Sequence, residues 1–187
     1  MWQLLVFAGA LVFFHASEFL LAAIYMRDEL SMKSLLFSKA YLIAMSCGVL
    51  EFLLEAALLP AMKQLHAVSY CGLALLVLGE VIRKLAMVTA ASNFTHNIRR
   101  SRQQSHVLVT SGIYRLVRHP GYMGWFIWSL ATQLLLVNPI CGLAYAYMSW
   151  RFFYERIQYE EWYLRKFFGQ DYEQYAQATR SGIPFID

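Results

Sequence analysis

The stretch Arg115-Leu-Val-Arg-His-Pro-Gly-Tyr-Met-Gly-Trp125 sets two arginines, a histidine, a proline and two glycines where a long apolar segment is about to begin. Pro120 suits the first turn of a helix, where its missing N–H costs nothing. The groups just before it would then surround a helix N-terminus, whose free backbone N–H groups attract anions. Gly121 and Gly124 let another backbone or a ligand approach closely. A basic membrane flank followed by glycine-mediated helix packing accounts equally for a lone stretch of this kind.

Two further constellations carry charge in oily surroundings. Arg156 and Glu160 are spaced i,i+4 within WRFFYERIQYEEWYLRKFF. A solvated ion pair explains that spacing, but aromatic residues on every side point to partial burial and a site. Glu80 and Arg83 are three apart and share a helix face, so mutual neutralisation is expected. With Lys84 beside it, Arg83 either snorkels to the headgroups or binds an anion at the floor of a cavity open to the cytosol. Glu51 and Glu55 read as a hydrogen-bonded pair holding helices together, because an ionised side chain in hydrocarbon costs several kcal/mol unless paired or wet.

The elements that must position these residues follow from composition. Of 187 residues, 59% are hydrophobic and 15% charged, against about 25% charged in a soluble domain. This excludes an ordinary soluble domain and indicates a membrane protein. Cys47, Cys71 and Cys141 all lie in apolar runs without CxxC spacing, which suggests neither a disulfide framework nor a zinc site. The N-terminal run MWQLLVFAGALVFF lacks a basic flank and a following cleavage site, so it reads as a retained transmembrane helix.

A bilayer core about 30 Å thick needs roughly 20 apolar helical residues. Windows of that kind fall at about 2–26, 36–59, 67–91, 121–137 and 140–154. The expected fold is therefore all-α and polytopic, with about five transmembrane helices. The last two are separated only by Asn138-Pro139, which predicts a tight helical hairpin. Residues 92–120 form a polar loop with five arginines and no acid; 151–187 form a charged tail. With five spans, this loop, the tail and the 27–39 loop (Arg27, Lys33, Lys39) share one side, leaving Lys63 on the other. Basic loops stay in the cytosol, so the C-terminus is expected there and the N-terminus in the lumen. The sequon Asn93-Phe94-Thr95 then sits at the cytosolic boundary and is not expected to be glycosylated. Gly169 should break the tail helix and Asp171 should cap a last amphipathic one, whose Tyr172 and Tyr175 are expected to pack.

The ordered set RKLAMVTAASNFTH, SHVLVTSGIYRLVRHPGYMGW, NPICG, WRFF, EE and GIPFID, over residues 83–187, closely resembles the isoprenylcysteine carboxyl methyltransferase family of endoplasmic-reticulum membrane enzymes. The resemblance implies methyl transfer from S-adenosylmethionine to the α-carboxylate of a C-terminal prenylated cysteine of CaaX proteins, with the bilayer as setting and neither nucleic acid nor metal involved. By the same resemblance His106, Val107, Leu108 and Val109, then Tyr114, then His119, Pro120, Gly121 and Tyr122, with Glu160, would hold the cofactor. Arg156 resembles the family's substrate-contacting arginine and Arg83 a second one. The family often has glutamine where this chain has Arg99. The implied organisation is one membrane-embedded domain over 1–187, with helices in 1–91 and the cofactor-binding and catalytic region in 92–187.

The residue types suit that chemistry. A C-terminal carboxylate, with a pKa near 3.5, is already the nucleophile at neutral pH, so no general base is needed. An arginine fork can hold one oxygen and leave the other free to attack. Tyr114, Tyr122 and Trp125 are expected to enclose adenine or the sulfonium. Rival readings are a membrane NADPH-dependent sterol reductase, which also carries an RHPxY element, a phospholipid N-methyltransferase, and a small transporter or assembly factor using Glu51 and Glu55.

Overall fold

The computed structural model describes residues 1–27 and 30–187. Its helices are α1 (Trp2–Tyr25), α2 (Lys39–Leu58), α3 (His66–Ala90), α4 (Pro120–Leu136), α5 (Pro139–Phe168) and α6 (Gln170–Ala178). Among the described residues the one β-type pairing is an isolated bridge between Val117 and Arg180. Each of the five apolar windows coincides with a helix, and α5 continues unbroken into the charged tail until Gly169, whose φ is 53°. Gly169, not Asp171, occupies the cap of α6; Asp171 and Glu173 sit in its first turn, where acidic charge still favours the helix N-terminus.

By length and composition alone, Trp2–Tyr25 and Met32–Leu58 are apolar enough to cross a membrane. The other helices fall short for identifiable reasons. α3 carries Glu80, Arg83 and Lys84; α4 has 17 residues, about 26 Å of helix; α5 is apolar only in its first half. In α3 the charges Glu80, Arg83 and Lys84 are paired inside the fold.

The tightest packing joins α3 to α4. A Cβ on Gly79 would stand 2.7 Å from the Gly124 carbonyl oxygen, and one on Gly124 would stand 2.6 Å from the Arg83 backbone nitrogen. At Gly72 the contact would be 2.3 Å, to the Leu135 nitrogen. In hydrocarbon, helices gain little from burying apolar side chains against each other, so small residues that permit backbone contact drive association. Gly79→Val is accordingly expected to push the two helices apart at a cost of about 1–3 kcal/mol. Thermal unfolding of the purified variant in lipid should show a lowered midpoint; Gly9→Val, at a position with nothing within 4 Å, should leave it unchanged.

Around this pair, Phe7 and Phe14 of α1, Phe52 of α2, Leu76 of α3 and Trp128 and Leu135 of α4 form the buried core. The outward faces are also apolar: Leu5, Val12 and Phe13 on α1, Leu42 and Ile43 on α2, and Ile140 and Leu143 on α5 are all exposed. A skin of this kind is costly in water and suits lipid.

At the pole remote from the basic loop, the buried acids serve helix ends. Lys63, 7% exposed, donates to Glu55, to the Leu136 and Val137 carbonyls at 2.9 Å each and to Asn138 Oδ1 at 3.0 Å. It thereby closes the C-terminus of α4, where a cation is favoured. Glu51 accepts from the backbone N–H groups of Ile140 at 2.8 Å and Cys141 at 2.6 Å, satisfying orphan donors at the start of α5. Glu51 and Glu55 thus do not bond each other as the sequence suggested: Glu51 meets the start of α5, and Glu55 meets Lys63 in the turn between α2 and α3. The hairpin itself turns on Val137, at φ 55°, and Asn138, with Pro139 opening α5.

Candidate active site

The opposite pole is organised by a carboxylate that is fully buried. Glu18 of α1 is 0% exposed and accepts from Arg83 Nε and Nη2 at 2.9 Å each, from Lys84 Nζ at 2.7 Å and from His96 Nε2 at 2.9 Å. Arg83 therefore pairs with Glu18, not with Glu80; Glu80 instead meets Lys84 at 3.1 Å and Ser17 at 3.2 Å. Nor does Arg83 snorkel: it is 2% exposed, between the rings of Phe94 and Trp125, and its Nη1 donates to the Gly121 carbonyl at 3.1 Å. Burying an ion pair this completely is tolerable only because the bidentate fork and the extra donors satisfy the carboxylate.

Arg83 thereby anchors the start of α4. Pro120 opens that helix, as its sequence position predicts. The preceding loop is tied to the C-terminal segment by Arg118 N–H to the Arg180 carbonyl at 2.8 Å and His119 N–H to the Ser181 carbonyl at 3.0 Å. Upstream, Asn93 Oδ1 accepts from the Val107 N–H at 2.9 Å, so the sequon's asparagine is engaged in shaping the loop.

These ties surround a cavity that is partly open to its surroundings. Val107, Leu108, Val109 and Tyr114 from the loop line it, as do His119, Gly121 and Tyr122 from the start of α4 and Glu160 from α5. His106 lines an adjoining cavity with Arg99, and the two spaces share Asn93, Thr95, Val107 and Glu160. Pro120 lies between lining residues as the first residue of α4 and does not itself face the space. Eight of the ten expected cofactor residues, between positions 107 and 160, thus line one cavity. Trp125 is not among them: it packs against Phe14, Phe153 and the Arg83 guanidinium one helical turn behind Gly121 and Tyr122.

Arg156 faces a second, open cavity lined by Asn97, Arg100, Phe152, Glu155 and Tyr159. Its Nε donates to the Tyr122 hydroxyl at 2.9 Å and its Nη2 to the His96 carbonyl at 2.6 Å, with its plane over the Tyr122 and Phe152 rings. Tyr122 therefore stands between the two cavities, lining the first and holding the arginine of the second. Arg83 lines neither cavity and reaches the site through Gly121.

Glu161, Arg118 and the last helix join the site without having been assigned to it from the sequence. Glu161, 1% exposed, joins Arg118 Nε and His119 Nε2, each at 3.0 Å, and Arg165 at 3.1 Å. Burial opposes its charge, but the His119 hydrogen bond and the Arg118 guanidinium prevail and pull its pKa down to about 2. His119 stacks on Tyr122 with ring planes 9° apart and turns its other nitrogen toward Glu160 at 3.6 Å. Helix α6 closes the cavity from the tail side, where Tyr175 donates to the Tyr114 carbonyl at 2.6 Å and Arg118 to the Ala176 carbonyl at 3.0 Å. Tyr172 and Tyr175 pack, as expected, yet both also line the cavity.

The same region matches known proteins. Residues 72–166 match the model of the isoprenylcysteine carboxyl methyltransferase family. A relative from Oryza sativa subsp. indica, named probable protein-S-isoprenylcysteine O-methyltransferase, is 52% identical over 186 residues, covering 99% of this chain and 97% of its own. Protein-S-isoprenylcysteine O-methyltransferase B of Arabidopsis thaliana is 48% identical over 95% of this chain and 91% of its own. The Homo sapiens protein-S-isoprenylcysteine O-methyltransferase is 45% identical over 95% of this chain and 63% of its own. A solved eukaryotic intramembrane Ras methyltransferase superposes with a TM-score of 0.94 at 45% identity, covering 96% of this chain and 65% of that one. With both the sequence over nearly its whole length and the arrangement of its helices in agreement, the chain belongs to the isoprenylcysteine carboxyl methyltransferase family.

Proposed function

We propose that this protein transfers a methyl group from S-adenosylmethionine to the C-terminal α-carboxylate of a prenylated cysteine, forming a methyl ester. The observation that carries the reading is Tyr122, which separates a cavity holding Glu160 from one holding Arg156 while contacting that arginine at 2.9 Å. A cationic donor and an anionic acceptor would be held on either side of one ring.

The residues present fit the donor. Glu160 offers an anion to the ammonium and sulfonium groups, Tyr114 and Tyr122 offer ring faces to cationic or aromatic parts, and Gly121 leaves open a space that a Cβ would narrow to 3.1 Å from Phe94. When bound, S-adenosylmethionine supplies a methyl group on a positively charged sulfur.

The chain's own residues supply position. Arg156, held by Tyr122 and the His96 carbonyl, keeps a fork aimed into the second cavity, where it can bind one carboxylate oxygen and leave the other free. Arg83 fixes the Gly121 carbonyl and hence the start of α4, and its second proposed role is that of a substrate-binding cation. Alignment of this kind is worth several kcal/mol and requires no base. Glu161 and Arg118 lock His119, which presents its ring as a donor-site hydrogen-bonding group.

The whole chain acts as one membrane-embedded unit with five spans, α1 to the first half of α5, in the endoplasmic-reticulum membrane. The basic 92–120 loop and the tail face the cytosol, source of the water-soluble donor, and the prenyl chain reaches the site between spans. Asn93 is then cytosolic and carries no glycan. The test is transfer of radiolabelled methyl from S-adenosylmethionine to N-acetyl-S-farnesylcysteine by the protein in lipid, scored as base-labile ester. Label on the prenylated compound and none on N-acetylcysteine is the expected result. Label appearing on ethanolamine phospholipids, or consumption of NADPH, would replace the proposed acceptor or donor.

A further inference from the structure

Arg156 owes its orientation to two bonds on one edge of its guanidinium: Nε to the Tyr122 hydroxyl at 2.9 Å and Nη2 to the His96 carbonyl at 2.6 Å. Because both tethers use the Nε–Nη2 edge, the opposite Nη1–Nη2 end is left for an acceptor carboxylate in the second cavity. A backbone carbonyl can aim a guanidinium only if the carbonyl is itself held. His96 lies outside every helix, in a connecting segment of the kind that is ordinarily mobile.

What holds it is its own side chain. The imidazole is 11% exposed and reaches α1, where Nε2 bonds the Glu18 carboxylate at 2.9 Å. A carboxylate only accepts, so Nε2 carries the hydrogen. Glu18 cannot drift, since Arg83 and Lys84 also bind it. The neighbouring residues stiffen the same segment: Phe94 sets its ring 5.2 Å from the Arg83 guanidinium and edge-on to His96, and Thr95 Oγ1 donates to the Asn97 carbonyl at 2.7 Å. Asn97 then lines the Arg156 cavity. The chain thus passes from the buried charge cluster to that cavity within four residues, and His96 touches both, with its ring at one end and its carbonyl at the other.

We infer that His96 is a positioning residue for methyl transfer, which aims Arg156 by anchoring a backbone carbonyl to Glu18. This rests on the reading of Arg156 as the acceptor-binding arginine. His96 lines neither cavity, so its effect passes through the guanidinium. Without its ring, Arg156 keeps its charge and its bond to Tyr122 and still attracts the acceptor, but presents it at a poorer angle.

The test measures methylation of N-acetyl-S-farnesylcysteine and affinity for S-adenosylhomocysteine with full-length protein in lipid nanodiscs. His96→Ala is expected to lower kcat about tenfold, the scale of a modest misalignment, while KM for the acceptor and affinity for S-adenosylhomocysteine change less than about threefold. His96→Gln, which can place an amide N–H where Nε2 stands, should recover most of the loss. In an Arg156→Ala background, His96→Ala should cost less than about twofold more, because no guanidinium remains to be aimed. His96→Leu fills the space without the bond and replaces the alanine variant if that one does not accumulate. Unchanged kcat in the alanine or leucine variant overturns the inference, as does a glutamine variant no better than alanine. A full tenfold loss in the Arg156→Ala background, or an equal loss of S-adenosylhomocysteine affinity, shows that His96 acts elsewhere and also overturns it. A wild-type protein that binds S-adenosylhomocysteine but methylates no prenylated acceptor removes the proposed reaction and this inference with it; an active wild type with independent His96 and Arg156 effects removes the inference alone.

Discussion

Arg156→Ala is expected to lower methyl transfer by roughly two orders of magnitude while leaving the fold and donor binding intact, because misplacing a reactant by an ångström costs about that much. Arg156 is half-buried, touches the Tyr122 hydroxyl and the His96 carbonyl, and caps no helix. Its removal therefore opens no core cavity. The loss should fall mainly on turnover and on KM for the prenylated acceptor. Arg156→Lys should recover little, since an ammonium cannot bind Tyr122, His96 and a carboxylate in one plane. Steady-state kinetics against N-acetyl-S-farnesylcysteine, with S-adenosylhomocysteine affinity measured in parallel, separates the outcomes. A variant with full turnover removes Arg156 from the mechanism, and one that also loses donor affinity means Tyr122 has moved.

Glu18→Ala is expected to be the most destabilising single change in the chain. It leaves Arg83, 2% exposed, without its bidentate partner and removes the acceptor of Lys84 and His96. Breaking one side of a buried pair typically costs about 3–5 kcal/mol, because an uncompensated charge remains. Lys84 is partly exposed and can reach toward the headgroups, but Arg83 is pinned between Phe94 and Trp125. The variant should unfold at a markedly lower temperature in lipid or fail to accumulate. The double variant Glu18→Leu with Arg83→Met should regain much of the stability, since apolar replacement of a buried pair is often neutral. It should not regain activity if Arg83 serves the substrate. A double variant as unstable as the single one would show that packing, not the stranded charge, sets the cost.

The order and extent of the helices were legible from local information. Apolar runs of helical length, the Asn138-Pro139 break, Pro120 and Gly169 act within a few residues of themselves, so α1 to α5 and the hairpin lie where the pattern puts them. The lining residues from Val107 to Tyr122, and Glu160, were named through the resemblance to a family and not from spacing or periodicity. The partners of the buried charges were not readable. Helical spacing puts Glu80 and Arg83 on one face, but Glu18, 65 residues from Arg83, took the guanidinium. Likewise Glu55 went to Lys63 and Glu51 to the start of α5. Which charge meets which depends on how deeply each helix sits and how it is rotated. Those quantities are set by close contacts such as Gly79 on Gly124, so only the assembled bundle decides them.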